Sequence, residues 1–458
     1  MSLTHDAASA PSTPPSAGRR FRAYTSKHLD ELTARAGLGT DERLAVRAVA
    51  TVLPFRVNSY VIDELIDWDS APDDPMYRLV FPQPDMLPEA DVSRIADLLR
   101  QDAPRQELNR VANEIRAKLN PHPAGQMDLN VPKIGGQDPL EGMQHKYDET
   151  VLFFPKQGQT CHAYCTYCFR WAQFVGEPDL KFASGEVDHL VRYLKDSPQV
   201  TSVLFTGGDP MIMGEGVISR YVEPLLEVET LESIRIGTKA LGYWPQRFVT
   251  DPDADDTLRL FERVVESGKN LAFMAHFSHP AELESDLVAE AVRRIRGTGA
   301  VIRTQAPLIR TINDESAVWE RMWRTQVRMG MVPYYMFVER DTGPQDYFAV
   351  PLARAYEIFQ GAYKNVSGLA RTVRGPSMSA TPGKVCVDGI TEIAGEKVFM
   401  LHLVQARDAD LVGKPFFAKY DEKAAWLFDL EPALGATHFP YESAPPADVS
   451  SLVDPARA

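Results

Sequence analysis

Six short β-rich runs alternate with helix-like stretches, and this alternation restricts the fold more than any other feature of the chain. The runs are TVLFFP (150–155), VTSVLFTGG (200–208), SIRIGT (233–238), NLAFMAHF (270–277), AVIRTQAP (300–307) and VPYYMFV (332–338). Between them lie GEVDHLVRYLKDS, DDTLRLFERVVESG and DLVAEAVRRIRGTG, among others, each with apolar residues at spacings of three and four. Strands that alternate with helices pair in parallel through right-handed crossovers. Their near-continuous apolar character fits a sheet buried on both faces. Six units are too few for the eight-unit barrel. The expected fold class is therefore α/β, with a partial, open (β/α)6 barrel over residues 145–365.

The flanks read differently. Residues 19–144 form a mainly helical, charged region, in which HLDELTARAG, EADVSRIADLLRQDA and RQELNRVANEIRAKLN have helical periodicity. Residues 1–18, rich in Ala, Ser, Pro and Thr, predict a disordered tail. Residues 366–458 predict a small α+β region. In it KVCVDGITEIAGEKVFMLHL reads as a hairpin and YDEKAAWLFDLEPA as a short helix. A net charge of −14 argues against a nucleic-acid partner held by a basic face. No apolar run approaches the roughly 20 residues that span a bilayer, so no membrane association is expected. The N-terminus lacks the apolar core of a secretory signal. Three of the four cysteines are clustered, which predicts no disulfide framework and a reducing cytoplasm.

Those three cysteines lie in CHAYCTYC, residues 161–168, spaced C-x3-C-x2-C. Structural zinc wants four ligands. His162 adjoins Cys161, and Cys386 is the remaining cysteine that a zinc site would need. A [4Fe–4S] cluster on three thiolates leaves one iron without a protein ligand, open to an amine and a carboxylate. The motif follows the first strand, at the end where barrel active sites form. FTGGDP, residues 205–210, ends the second strand. Its glycines let backbone approach a ligand closely, and its acid favours a cationic amine. An ordinary strand-to-helix turn uses the same residue types.

C-x3-C-x2-C with Tyr167 before the last cysteine, followed by Gly-Gly-acid, resembles the radical S-adenosylmethionine (SAM) superfamily. CFRW, SIRIGTKALGYWPQRF, AHFSHPAE and VPYYMFVERD further resemble the lysine 2,3-aminomutase family, from Tyr147 to Asp341. The resemblance implies that Cys161, Cys165 and Cys168 ligate a [4Fe–4S] cluster. It implies that SAM is bound by Thr206, Gly207, Gly208 and Asp209, with Thr238, His276 and Gln305 facing it. One electron from the cluster would then yield a 5′-deoxyadenosyl radical. Arg170 matches an arginine that binds the substrate α-carboxylate, as suits a guanidinium. Asp341 matches an acid that binds a side-chain amine. His279 reads as a structural residue that fixes a turn.

The family also uses pyridoxal phosphate (PLP), held by a lysine, with an arginine on its phosphate. Thr150 stands at that arginine's position, with Lys146 nearby, and Lys384 is the candidate lysine. Arg374 or Gly375 falls where the family has a second amine-binding acid, and an arginine there suits an anionic group. Two enzyme readings follow. In one, Lys384 holds PLP and an amino group migrates between carbons 2 and 3 of an amino acid. In the other, PLP is lost and the fold performs other radical chemistry on a carboxylate-bearing substrate. A reading of another class is a non-catalytic cluster- or zinc-binding protein. The resemblance further implies an electron donor such as a flavodoxin or ferredoxin, and a homo-oligomer.

Overall fold

The computed structural model describes residues 20–134, 138–177 and 180–442. The expected tail, 1–18, lies outside them. One sheet of eleven strands dominates the molecule, and every strand pairs with its sequence neighbours. The strands are β1 (Met143–Tyr147), β2 (Thr150–Phe153), β3 (Ser202–Phe205), β4 (Ser233–Thr238), β5 (Asn270–His276) and β6 (Val301–Leu308). They continue as β7 (Val332–Val338), β8 (Arg374–Ser379), β9 (Gly383–Ile393), β10 (Glu396–Ala406) and β11 (Pro415–Lys419). Strands β2 to β8 run parallel. β1 at one edge and β9 to β11 at the other are antiparallel.

The six expected runs coincide with β2 to β7. A seventh parallel strand, β8, extends the set past residue 365, so the expected boundary there does not divide the sheet. Its sequence, RGPSMS, is poor in β-formers, and it meets β7 with a register shift between Tyr335 and Phe337. The predicted hairpin is β9–β10, turned by Ala394 and Gly395 with φ of 51° and 84°, as a tight hairpin turn requires. The predicted short helix in YDEKAAWLFDLEPA reduces to one helical turn, Leu427–Asp429. Trp426, Leu427 and Leu430 are drawn into the C-terminal core instead, so tertiary burial overrides local periodicity there.

Strand alternation sorts the barrel into two faces. Val151, Phe153, Val203, Phe205, Ile234, Ile236, Leu271 and Phe273 bury against the outer helices. Leu152, Leu204, Arg235, Gly237, Met274 and Gln305 line the interior. The two sheet edges are not hydrogen-bonded to each other along the backbone. Side chains join the two ends of the parallel set: Gln405 on β10 donates to Glu149 in the β1–β2 turn at 2.8 Å, and Lys146 on β1 donates to the carbonyl of Ala380 between β8 and β9.

The N-terminal helices, including Thr40–Val52, Glu89–Arg100 and Arg105–Lys118, form a second core. Ala163, Tyr167 and Trp171 of the cysteine segment are part of it. The amide of Tyr164 donates to Arg56 O at 2.8 Å, and that of Thr166 to Leu79 O at 2.9 Å. The helical region thus serves as the bed on which the cysteine segment is laid.

Candidate active site

One cavity at the C-terminal ends of the parallel strands gathers nearly all the residues singled out in the sequence. Cys161, Cys165, Cys168, Arg170, Thr206, Gly207, Gly208, Asp209, Thr238, His276, Gln305 and Lys384 all line it. Asp341 does not. Its two predecessors, Glu339 and Arg340, line the wall instead. Arg374 is exposed and lines a separate cavity on the outside, beside Cys386, Asp388 and His402.

The cysteines suit a polynuclear cluster better than a single ion. Among the described residues, Cys386, Asp388 and His402 form the one His/Cys/Asp/Glu set with ligand atoms within 4.8 Å of one another. At least one pair of the three clustered sulfurs therefore lies beyond 4.8 Å, wider than the roughly 4 Å between sulfurs on one tetrahedral zinc. Cys386, on the other cavity, is not their fourth ligand. Burial pushes all three thiols up, Cys168 to about 12, so thiolates form there when a cation is bound.

The Gly-Gly-Asp loop is locked to the cysteine segment. A Cβ on Gly208 would lie 2.4 Å from Thr160 O, and Gly207 has a φ of 124°. The amide of Asp209 donates to Thr160 O at 2.7 Å. The Asp209 carboxylate is already engaged: Oδ1 accepts from Thr238 Oγ1 at 2.7 Å and Met211 N at 2.9 Å, and Oδ2 from Lys239 N at 2.9 Å. Burial pushes its pKa up, but nearby His162, 3.8 Å away, and hydrogen bonds from Thr238 and Lys239 outweigh this and hold it below the usual range. Asp209 thus ties three loops together.

His276 and Gln305 meet through Nε2 atoms 2.7 Å apart. Burial, with Lys239 nearby, lowers the imidazole to about 3, so it stays neutral. Lys239, which sequence reading missed, pairs with buried Glu282 at 2.6 Å. Glu282 also accepts from the amides of Ser278 and His279. His279 accepts from the amide of Ala281 at 3.3 Å and so caps its turn.

Lys384 Nζ donates to Gln405 Oε1 at 2.9 Å and lies 4.8 Å from the Tyr335 ring centroid. Burial, then Arg235 and Arg374, lower its pKa to about 7. Arg235 donates from Nη2 to Thr150 Oγ1 at 3.3 Å, while its Nε is buried without a partner. Arg170 is 6% exposed, its Nη1 has no partner, and its guanidinium stacks 4.4 Å from Phe154. Burial, then Arg340, lower it to about 9. Arg235 and Arg340 were also missed. The I-R-I alternation of SIRIGT was the available signal for Arg235, because neighbours of buried isoleucines on a strand face the other way.

No family model matches the chain. It is 28% identical over 404 residues to a protein of Aquifex aeolicus named provisionally as an L-lysine 2,3-aminomutase, covering 88% of this chain and 94% of that one. It is 27% identical over 233 residues to the L-lysine 2,3-aminomutase of Acetoanaerobium sticklandii, covering 51% of this chain and 53% of that protein. The match thus spans about half of the latter's length. A solved radical SAM methyltransferase from Sphaerobacter thermophilus superposes with a TM-score of 0.36 at 18% identity, over 52% of this chain and 68% of that one. The cysteine motif and the match over 88% of the chain support a radical SAM enzyme similar to the lysine 2,3-aminomutases.

Proposed function

We propose that this enzyme moves an amino group between adjacent carbons of a carboxylate-bearing amino acid, with PLP held at Lys384. The observation that carries the reading is Lys384, a cavity-lining amine with a pKa near 7 in the same chamber as the cysteines. An amine must be neutral to attack a carbonyl carbon, and burial among cations supplies that state near neutral pH. Cys161, Cys165 and Cys168 would hold the [4Fe–4S] cluster that the family implies. The Thr206–Asp209 backbone would hold the methionine end of SAM. Arg235 and Thr150 offer a guanidinium and a hydroxyl suited to the PLP phosphate. When bound, these groups supply a carbon radical and a conjugated electron sink.

The chain's own residues position the substrate. Arg170 would take its α-carboxylate in a bidentate pair, held in place by stacking on Phe154. The neutral His276–Gln305 pair adds a polar wall without charge. Val338, Phe337 and Leu204 line the same chamber with apolar surface that excludes water from a reactive radical.

Anaerobic reconstitution tests the reading. About four irons per chain are expected, with cleavage of SAM to 5′-deoxyadenosine. Borohydride reduction followed by peptide mapping should place a pyridoxyl group on Lys384. One zinc per chain with no SAM turnover overturns the enzyme reading. Turnover with an unlabelled Lys384 and no PLP released on denaturation supports the PLP-independent alternative.

A further inference from the structure

Four cationic side chains with no ion pair among the described residues, Arg170, Arg235, Arg340 and Lys384, line the cavity. Arg170 and Arg340 flank one ring: each guanidinium carbon is 4.8 Å from the Phe169 centroid. Both are cavity-lining, and each has a buried nitrogen without a hydrogen-bond partner, Nη1 of Arg170 and Nε of Arg340. Neither has a charged carboxylate in an ion pair among the described residues. Glu339, the acid nearest in sequence, is 6% exposed, and burial raises it to about 8, so it is neutral at pH 7. Arg170 is buried and Arg340 half-buried, and unmet donors from both, set around one ring, favour an anion between them. A second cationic pair, Arg235 and Lys384, stands apart from Phe169, on the Thr150 and Tyr335 side.

We propose that the substrate carries a second anionic group, and that Arg340 binds it while Arg170 binds the α-carboxylate. The substrate class is then an acidic amino acid rather than a diamino acid. This rests on the aminomutase reading for the role of Arg170 and for the placement of the PLP phosphate beside Lys384. The chemistry of the wall agrees. A side-chain ammonium would sit beside Arg340 with Glu339 protonated and Asp341 outside the cavity. A side-chain carboxylate instead meets an unmet guanidinium donor.

Equilibrium binding to the reconstituted holoenzyme with SAM separates these cases without relying on turnover. The probes are L-glutamate, L-aspartate, L-lysine and L-alanine. At least one acidic amino acid should bind tenfold or more tightly than lysine. Arg340→Gln should weaken that acid tenfold or more and change alanine affinity less than threefold, and Arg340→Lys should restore part of the loss. Lysine binding as well as or better than both acids overturns the proposal, as does equal weakening of acid and alanine by Arg340→Gln, or binding of none of the four. Isomer formation from lysine leaves the aminomutase reading standing and this proposal refuted. Tight binding of an acid with no isomer formed has the opposite meaning.

Discussion

Arg235 on β4 donates to Thr150 on β2 at 3.3 Å, reaching across the intervening β3. Thr150, the position that the family resemblance assigns to a phosphate-binding arginine, thus receives a guanidinium from two strands away, which a linear comparison of motifs does not reveal.

Arg235→Gln therefore tests whether that guanidinium holds PLP. A hydrogen bond to a charged group is worth about 1.5–3 kcal/mol, or roughly ten- to hundredfold in affinity. PLP retained after dialysis should fall by that factor, measured by release on denaturation, while iron content is unchanged. Thr150→Val, which removes only a neutral hydroxyl, should cost roughly threefold. Equal PLP content in Arg235→Gln and the parent chain would place the phosphate elsewhere.

The depressed Lys384 pKa sets a pH dependence. Below about 7 the amine is protonated in the folded chain and cannot attack PLP; above it the neutral form dominates. An unperturbed lysine reaches that state only near pH 10.4. Attachment followed by borohydride trapping should thus rise with pH, with a midpoint near 7 and a plateau by about pH 8.5. Arg374→Gln removes one of the cations that lower the amine, so its midpoint should move upward. A midpoint that stays above 9 in the parent chain would contradict the buried, cation-flanked amine.

The barrel was legible because parallel strands buried on both faces are continuous apolar runs, and those runs match β2 to β7. β8 was not, because Gly375 and Pro376 hide a strand that long-range pairing alone defines. At the site, the cysteines and Gly207–Asp209 announced themselves by spacing. Arg340 and Lys239 did not, because their meaning lies in which neighbours are charged, and that is set by burial. Asp341 and Arg374 lie outside the lining of that cavity, and which residue at a strand end faces inward is set by register rather than by composition.

Gly208→Ala tests the lock between the Gly-Gly-Asp loop and the cysteine segment. The new methyl would meet the backbone oxygen and nitrogen of Thr160 at 2.4 and 2.5 Å, and neither can move without dragging Cys161. Overpacking of this kind costs about 1–3 kcal/mol or more. Reconstituted iron content should fall by half or more, and SAM cleavage with it. Gly185→Ala, where a methyl meets nothing within 4 Å, is the control and should reconstitute normally.

Arg247, within the PQRF turn, explains a stretch that sequence comparison marks without giving it a role. It is 3% exposed and donates to Met211 O and Met213 O, each at 3.0 Å, and to Thr257 at 2.9 Å. Its ion pair with Asp253 spans 2.9 Å. These bonds clamp the residues that follow Gly207–Pro210, so the arginine holds the Gly-Gly-Asp loop from behind. Breaking a buried pair costs about 3–5 kcal/mol. The Asp253 side chain is 33% exposed, so solvent recovers part of that, and about 2–4 kcal/mol is the expected loss for Arg247→Ala. Arg247→Lys should recover little, because one ammonium cannot reproduce a planar fork that serves two carbonyls, a hydroxyl and a carboxylate. Thermal unfolding of both variants should begin roughly 2–4 °C lower. Iron content should be kept at low temperature while SAM affinity weakens, because the clamp acts on the Gly-Gly-Asp side of the cavity rather than on the cysteines. Loss of iron with unchanged SAM affinity would assign the clamp to the opposite wall.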